Sequence, residues 1–175
     1  MLLRQILIIY QYLMTKKLII AGAALAVISS CNMKNPLLTE SSAPFGAPEF
    51  DKIRNEHYLP AFEAGIAEAK AEIDAIVANP DEPTFENTIE AMEYSGKTLN
   101  NVSGIFYNLM EANTNDELQK IAEEVSPMLT EYSMYVSLNP ALFERVKAVY
   151  AKKDELGLDK DQMTLLEDSY KSFVR

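Results

Sequence analysis

The stretch from Pro83 to Asn113 constrains the fold of this chain more than any other. Pro83 disfavours helix in the residue before it, and the Thr84 hydroxyl can accept a hydrogen bond from a free amide of a first helical turn. Apolar or small residues then recur at steps of three and four, as on one face of an unbroken α-helix: Phe85, Ile89, Met92, Gly96, Leu99, Val102, Phe106 and Leu109. Such a helix would be about 40 Å long. We therefore predict a long central helix along which the other helices pack.

Two glycines, Gly96 and Gly104, fall within this predicted helix, and each follows a serine. Glycine in a helix interior costs up to about 1 kcal/mol relative to alanine, so its presence suggests a compensating contact. We expect another backbone to approach closely at these positions. For Gly104, which lies off the apolar face, a solvated position without such a contact is an equal alternative.

Four further helices are predicted from apolar spacing and from capping residues. The first starts between Asn55 and Pro60 and ends at Asn79, with one apolar face: Phe62, Ile66, Ala69, Ile73 and Ile76. The others begin at three pairs of helix-starting residues: Thr114 with Glu117, Asn139 with Pro140, and Asp159 with Gln162. Pro127 should kink the third helix. No segment alternates as a strand requires, so the sequence predicts an all-α fold of about five helices around the long central one.

Composition and charge bound the class of protein. The chain has 175 residues, 48% hydrophobic and 24% charged, which suits one globular domain. Residues 1–30 carry three cations and no acid, whereas residues 31–175 carry 13 cations and 26 acids, a net charge of −13. Because affinity for nucleic acid depends on Lys and Arg, nucleic-acid binding is excluded.

The first thirty residues have the plan of a secretory signal peptide. Lys16 and Lys17 precede an apolar run from Leu18 to Ile28, which is shorter than the roughly 20 residues that span a bilayer. The run closes on Cys31, as in the lipobox of bacterial lipoproteins, so we predict that Cys31 is lipidated. The protein would then be exported and membrane-anchored, with residues 1–30 as signal peptide and 31–48 as lipidated cysteine and tether. The true start is then Met14 or Met1.

Two alternatives remain open for this region. A lone cysteine is commonly a plain buried residue, although Cys31 is the only one in the chain and follows a signal core. The two apolar runs could also form a membrane hairpin, but Lys16 and Lys17 would then lie at its turn. Residues 49–175 are predicted to form the helical domain.

The residues available for catalysis are few. His57 is the only histidine, so a His-Glu-x-x-His zinc site cannot be formed within this chain. We predict a structural or surface role for His57, and no catalytic, metal-binding or cofactor-binding residue. Four tyrosines either face a peptide-holding cleft or belong to the core: Tyr107, Tyr132, Tyr135 and Tyr150.

A series of short motifs resembles a known family. The motifs occur in order between Asn35 and Arg175: residues 35–38 (NPLL), 50–53 (FDKI), 56–62 (EHYLPAF), 83–88 (PTFENT), 112–118 (ANTNDEL) and 138–140 (LNP). They resemble the N-terminal region of bacterial peptidyl-dipeptidases, in the zinc metallopeptidase family of thimet oligopeptidase and oligopeptidase A. The resemblance implies an all-helical fold with a deep channel, and hydrolysis of short peptides with release of C-terminal dipeptides.

The departure from that family pattern is large, because the zinc motif is absent. The resemblance implies that zinc and the catalytic residues belong to a C-terminal catalytic domain, before which this chain is truncated. We expect the chain alone to bind no zinc and to be inactive. The alternative is a free-standing helical lipoprotein that binds a partner or peptide at the membrane.

Overall fold

The helix Tyr58–Ala78 (α1) contacts most other elements of the body. It follows a short 3-10 turn at Asn55–His57, carries Pro60 in its opening turn, and ends at Ala78 with Asn79 as its C-cap. All five residues of its predicted apolar face are buried. The structure, a computed structural model, describes residues 35–174, and the residues from Pro36 onward form one compact unit. The predicted first helix is confirmed.

The predicted unbroken central helix is wrong. The stretch instead forms a π-helix at Phe85–Glu90, a short helix at Ala91–Tyr94 (α2) and a helix at Lys97–Asn113 (α3). Between α2 and α3, Ser95 is extended and Gly96 adopts the left-handed conformation, with φ 70°. The Gly96 amide donates to Glu72 of α1 over 2.7 Å, so a tertiary hydrogen bond replaces the bond within a continuous helix.

The predicted cap and apolar face of this stretch are nevertheless confirmed. The Thr84 hydroxyl accepts from the Asn87 amide over 3.1 Å, and the Asn87 side chain accepts from the Thr84 amide over 2.9 Å. The apolar face divides between two clusters. Phe85 and Ile89 pack near the C-terminal helices, whereas the other buried members pack against α1: Leu99, Val102 and Phe106.

The close backbone approach predicted at Gly96 and Gly104 is found at a different glycine. A Cβ atom on Gly65 of α1 would lie 3.0 Å from the Cα of Leu99, so these two helices touch backbone to backbone. A Cβ on Gly96 would meet only side-chain atoms, at 3.6 Å or more, and one on Gly104 would meet nothing within 4 Å. The solvated alternative for Gly104 is therefore correct.

Three more helices complete the fold: Asp116–Ser137 (α4), Pro140–Tyr150 (α5) and Lys160–Val174 (α6). The predicted caps at Asn139 and Asp159 are confirmed, since each side chain accepts from two amides of the first turn. The cap of α4 was predicted one residue early. Asn115 accepts from the amides of Glu117 and Leu118, whereas the Glu117 carboxylate bonds Asn55. The α4 helix continues through Pro127.

Apolar clusters occupy both ends of α1. At its N-terminal end the rings of Tyr58 and Phe62 meet Phe106 edge to face, with centroids 4.9 and 5.4 Å apart. At its C-terminal end Ile73 and Ile76 pack on Leu142 of α5. A third cluster joins the π-helix to α5 and α6: Phe85, Ile89, Val146, Val149 and Leu166.

Arg145 of α5 forms hydrogen bonds with both the π-helix and the loop before it. The guanidinium, in a side chain only 8% exposed, donates to the carbonyl of Asn79 over 2.9 Å and to the side-chain oxygen of Asn87 over 3.1 Å. These neutral acceptors partly compensate the cost of burying a charge. The start of the π-helix is thereby fixed to α5.

The predicted all-α class is confirmed. Residues 35–174 contain five helices of at least 11 residues and no strand. None of the helices described there has the length and apolar character needed to cross a bilayer. Met14, Cys31 and the signal segment lie outside the described residues, and the domain boundaries stay predictions.

We predict that Phe85→Ala lowers the free energy of unfolding by about 3–5 kcal/mol, because the ring is 2% exposed within its cluster. Urea unfolding followed by circular dichroism measures the change. Phe50→Ala is the matched control, since Phe50 is 54% exposed and should change stability by less than about 0.5 kcal/mol. A loss below about 1 kcal/mol for Phe85→Ala would place that face in solvent.

We also predict opposite effects for two glycine substitutions in the same stretch. Gly96→Ala should lower the free energy of unfolding by about 1–2 kcal/mol, because a residue with a side chain is strained at φ 70°. Gly104→Ala should stabilise by up to about 1 kcal/mol, because this glycine is helical with open space around it. The same unfolding measurement compares them, and a shift of equal sign in both variants would contradict the helix break.

Candidate functional site

A cleft of about 470 Å³ opens beside the break between α2 and α3. Its lining comes from α1, from both sides of the break, from the second half of α4 and from the end of α6. It is within the usual volume range of small-ligand sites and mixes apolar with polar groups. The lining residues are Ile73, Met92, Glu93, Ser95, Gly96, Leu99, Asn100, Tyr132, Ser133, Val136, Ser137, Ser172 and Phe173.

The break shapes one side of the cleft through local hydrogen bonds. The Ser95 hydroxyl donates to the carbonyl of Met92 over 2.7 Å, which closes the last turn of α2. The Gly96 carbonyl accepts from the Asn100 amide over 2.8 Å and so opens α3. Because the Gly96 amide is bonded to Glu72, a carboxylate of α1 lies at the positive end of α3.

Tyr132 of α4 lines the cleft opposite this break. Its hydroxyl oxygen would be 3.7 Å from a Cβ atom placed on Gly96. Burial raises the pKa of the Tyr132 phenol, and the negative charge of Glu72 raises it further. The hydroxyl is therefore protonated at neutral pH and can donate a hydrogen bond into the cleft.

Several polar side chains of the cleft have no internal partner. Within the described part of the chain, no side-chain hydrogen bond engages five of the lining residues: Glu93, Asn100, Tyr132, Ser133 and Ser137. The apolar lining includes two residues that are almost fully buried, Ile73 at 1% exposed and Leu99 at 4%. The cleft thus combines an apolar floor with free donors and acceptors, as a binding site for a small organic molecule requires.

The structure separates the tyrosines that the sequence grouped together. Only Tyr132 of the four lines this cleft. Tyr107 packs edge to face on Phe106, Tyr135 donates to Asp74, and Tyr150 stacks on Tyr170 at 4.0 Å.

His57 takes part in local structure. Its Nδ1 accepts from the Arg54 amide over 3.0 Å, just before α1. Across residues 35–174, no group of three or more His, Cys, Asp or Glu side chains is placed to hold a metal ion. The described residues thus do not themselves fit a zinc centre, which the family resemblance assigns to a C-terminal catalytic domain. Cys31, the predicted lipidation site, is outside the described residues.

Sequence reasoning missed Glu72, Ser133 and Ser137 as parts of this site. Glu72 lies on α1 and its partner Gly96 is 24 residues away, so local spacing does not indicate this contact. Ser133 and Ser137 are four residues apart on α4, so their spacing places them on one face of the helix. The spacing does not indicate which other elements that face contacts.

Comparison with known proteins finds sequences similar to this chain among peptidases. No protein-family profile matches it. It is 45% identical over 140 residues to the dipeptidyl carboxypeptidase of Escherichia coli strain K12, a match that covers 80% of this chain and 21% of that protein. The dipeptidyl carboxypeptidase of Salmonella typhimurium strain LT2 is 44% identical over the same length.

Oligopeptidase A of Salmonella typhimurium strain LT2 is a more distant match, 25% identical over 141 residues, or 81% of this chain and 20% of that protein. The chain thus spans about a fifth of the length of the curated relatives it matches. The resemblance carried by the sequence motifs is confirmed. Over the matching residues, the chain is similar to the N-terminal region of dipeptidyl carboxypeptidase and, more distantly, of oligopeptidase A.

Proposed function

We propose that this chain is the N-terminal helical part of an exported zinc metallopeptidase that hydrolyses short peptides and releases dipeptides from their C-termini. The 45% identity to a dipeptidyl carboxypeptidase over 140 residues carries the proposal. The all-helical body supports it, because the family resemblance implied that architecture. In the whole enzyme this part would form one wall of the channel that admits short peptides and excludes folded proteins.

Catalysis in this proposal belongs to another part of the enzyme, the C-terminal catalytic domain. The described residues offer no set of metal ligands, so we derive no catalytic step from them. The role of these residues is to shape the channel and to hold the peptide. The chain alone is then inactive and binds no zinc tightly.

A chimaeric enzyme tests this proposal. In it, the matching segment of the Escherichia coli dipeptidyl carboxypeptidase is replaced by the 140 residues of this chain. We expect dipeptide release from a blocked tetrapeptide within about tenfold of the parent rate, about 1.4 kcal/mol in the barrier, because the segment supplies shape rather than chemistry. The 175-residue chain, incubated with the same peptide and zinc, should release nothing.

Two results would contradict the proposal. The first is a chimaera that folds like the parent by circular dichroism yet cleaves no peptide, which would favour a free-standing binding lipoprotein. The second is metal-dependent dipeptide release by the 175-residue chain itself. A chimaera carrying Phe62→Asp is the control for misfolding. Because Phe62 is fully buried, this variant should unfold and lose activity, and its circular dichroism spectrum shows what a misfolded segment looks like.

We further propose that Cys31 is lipidated and anchors the protein to a membrane after export. The proposal depends on the sequence alone: a basic start, an apolar run of 11 residues from Leu18 to Ile28, and a cysteine three residues later. A single acyl chain gives only weak anchoring, whereas the several chains of a bacterial lipoprotein give stable anchoring.

We predict that Cys31→Ser removes the protein from the membrane fraction of a bacterial host and abolishes incorporation of labelled palmitate. The matched control adds Thr39→Cys to Cys31→Ser, which restores one cysteine at an exposed position eight residues later. It should not restore labelling. If the Cys31→Ser variant stays membrane-bound, or the unaltered protein carries no lipid, the anchor is elsewhere or absent.

A further inference from the structure

We propose that the cleft beside the α2–α3 break binds the amino-terminal end of a short peptide, with Glu93 facing its ammonium group. The biological meaning rests on the proposed function, in which short peptides are substrates. The binding itself depends only on the cleft and can be measured without catalysis.

The charges around the cleft favour a cation. Among its lining residues Glu93 is the one charged group, and within the described part of the chain it has no ion-pair partner. Glu93 also lines a smaller hollow of about 190 Å³ that contains Glu90 and Asp161. A second carboxylate, Glu72, lies behind Gly96. Since opposite charges attract and like charges repel, these carboxylates should attract an ammonium group and repel the carboxylate of a peptide.

The neutral polar groups match the chemistry of a peptide backbone. The side chains of Asn100, Ser133 and Ser137 each offer a donor and an acceptor, and protonated Tyr132 offers a donor. A peptide amide also presents one donor and one acceptor per residue. The lining is thus suited to an amide chain, and its carboxylate disfavours phosphate or another anion.

The apolar part of the cleft suits a hydrophobic side chain. Ile73 and Leu99 form a nearly buried floor, and Phe173 of α6, which is partly exposed, also lines this space. The break between α2 and α3 makes this space accessible next to the free polar groups. A peptide with a hydrophobic first or second residue would therefore bury apolar area while its backbone remains hydrogen-bonded.

The test compares two peptides on the 15N-labelled 175-residue chain by NMR titration. One is Leu-Ala-Ala amide with a free amino terminus, and the other is its N-acetyl counterpart. We expect the free amine to bind at least about tenfold more tightly, the discrimination of one charge-assisted hydrogen bond. The shifted amide signals should be those of Gly96, Asn100, Ser133 and Ser137.

Two variants sharpen the comparison. Glu93→Gln should abolish the discrimination between the peptides without disturbing the fold, because Glu93 is exposed. Ser133→Phe should weaken the binding of both peptides, because the larger side chain fills the cleft. Glu123→Gln is the matched control, because it removes an exposed carboxylate of α4 that lies about 13 Å along the helix from Tyr132. It should leave the affinities of both peptides unchanged.

The proposal is overturned by any of three results: equal affinity for the two peptides, retained discrimination in Glu93→Gln, or shifts confined to other parts of the chain, including Gln162 in the smaller hollow. Its failure is distinguishable from failure of the proposed function, because this experiment measures binding to the chain alone whereas the chimaera measures turnover.

Discussion

The backbone contact between α1 and α3 is the constraint on which the rest of the described structure depends. Gly65 has no side chain, and the main chain of Leu99 occupies the space that one would take. This close approach lets Tyr58, Phe62 and Phe106 form a single buried aromatic cluster. It sets the position of α3 along the axis of α1. It also brings Gly96 to Glu72, two turns further along α1, where their hydrogen bond ends one helix and starts the next.

The helix break has a consequence for function as well as for packing. In a continuous helix the Gly96 amide would be bonded to a carbonyl one turn earlier, and no carboxylate of α1 would be needed. The observed break separates α3 from the π-helix, and the same apolar face supplies two separate clusters. The cleft is lined by residues on both sides of the break and by polar groups of α4. A helical surface interrupted in this way presents a preformed cleft rather than one continuous helical face.

The sequence predicted what local chemistry decides and failed where distant residues decide. The caps at Thr84, Asn139 and Asp159 involve side chains and amides within three residues, so spacing was sufficient. The break at Gly96 depends on a carboxylate 24 residues away, and nothing in the local pattern indicates it. Gly65 looked like any small residue on α1, although it is the glycine that a second backbone requires. For Tyr132 and three other tyrosines the sequence left both a cleft and the core open, and only packing distinguishes them.

The substitution Gly65→Ala tests the central claim most directly, by urea unfolding followed with far-UV circular dichroism. Helix propensity alone predicts a gain of up to about 1 kcal/mol, because alanine is the better helix former. Our account predicts a loss of about 1–3 kcal/mol, because the new methyl group would press on the Leu99 backbone at 3.0–3.1 Å and the two helices would have to move apart. An unchanged or increased free energy of unfolding would show that α1 and α3 do not meet backbone to backbone.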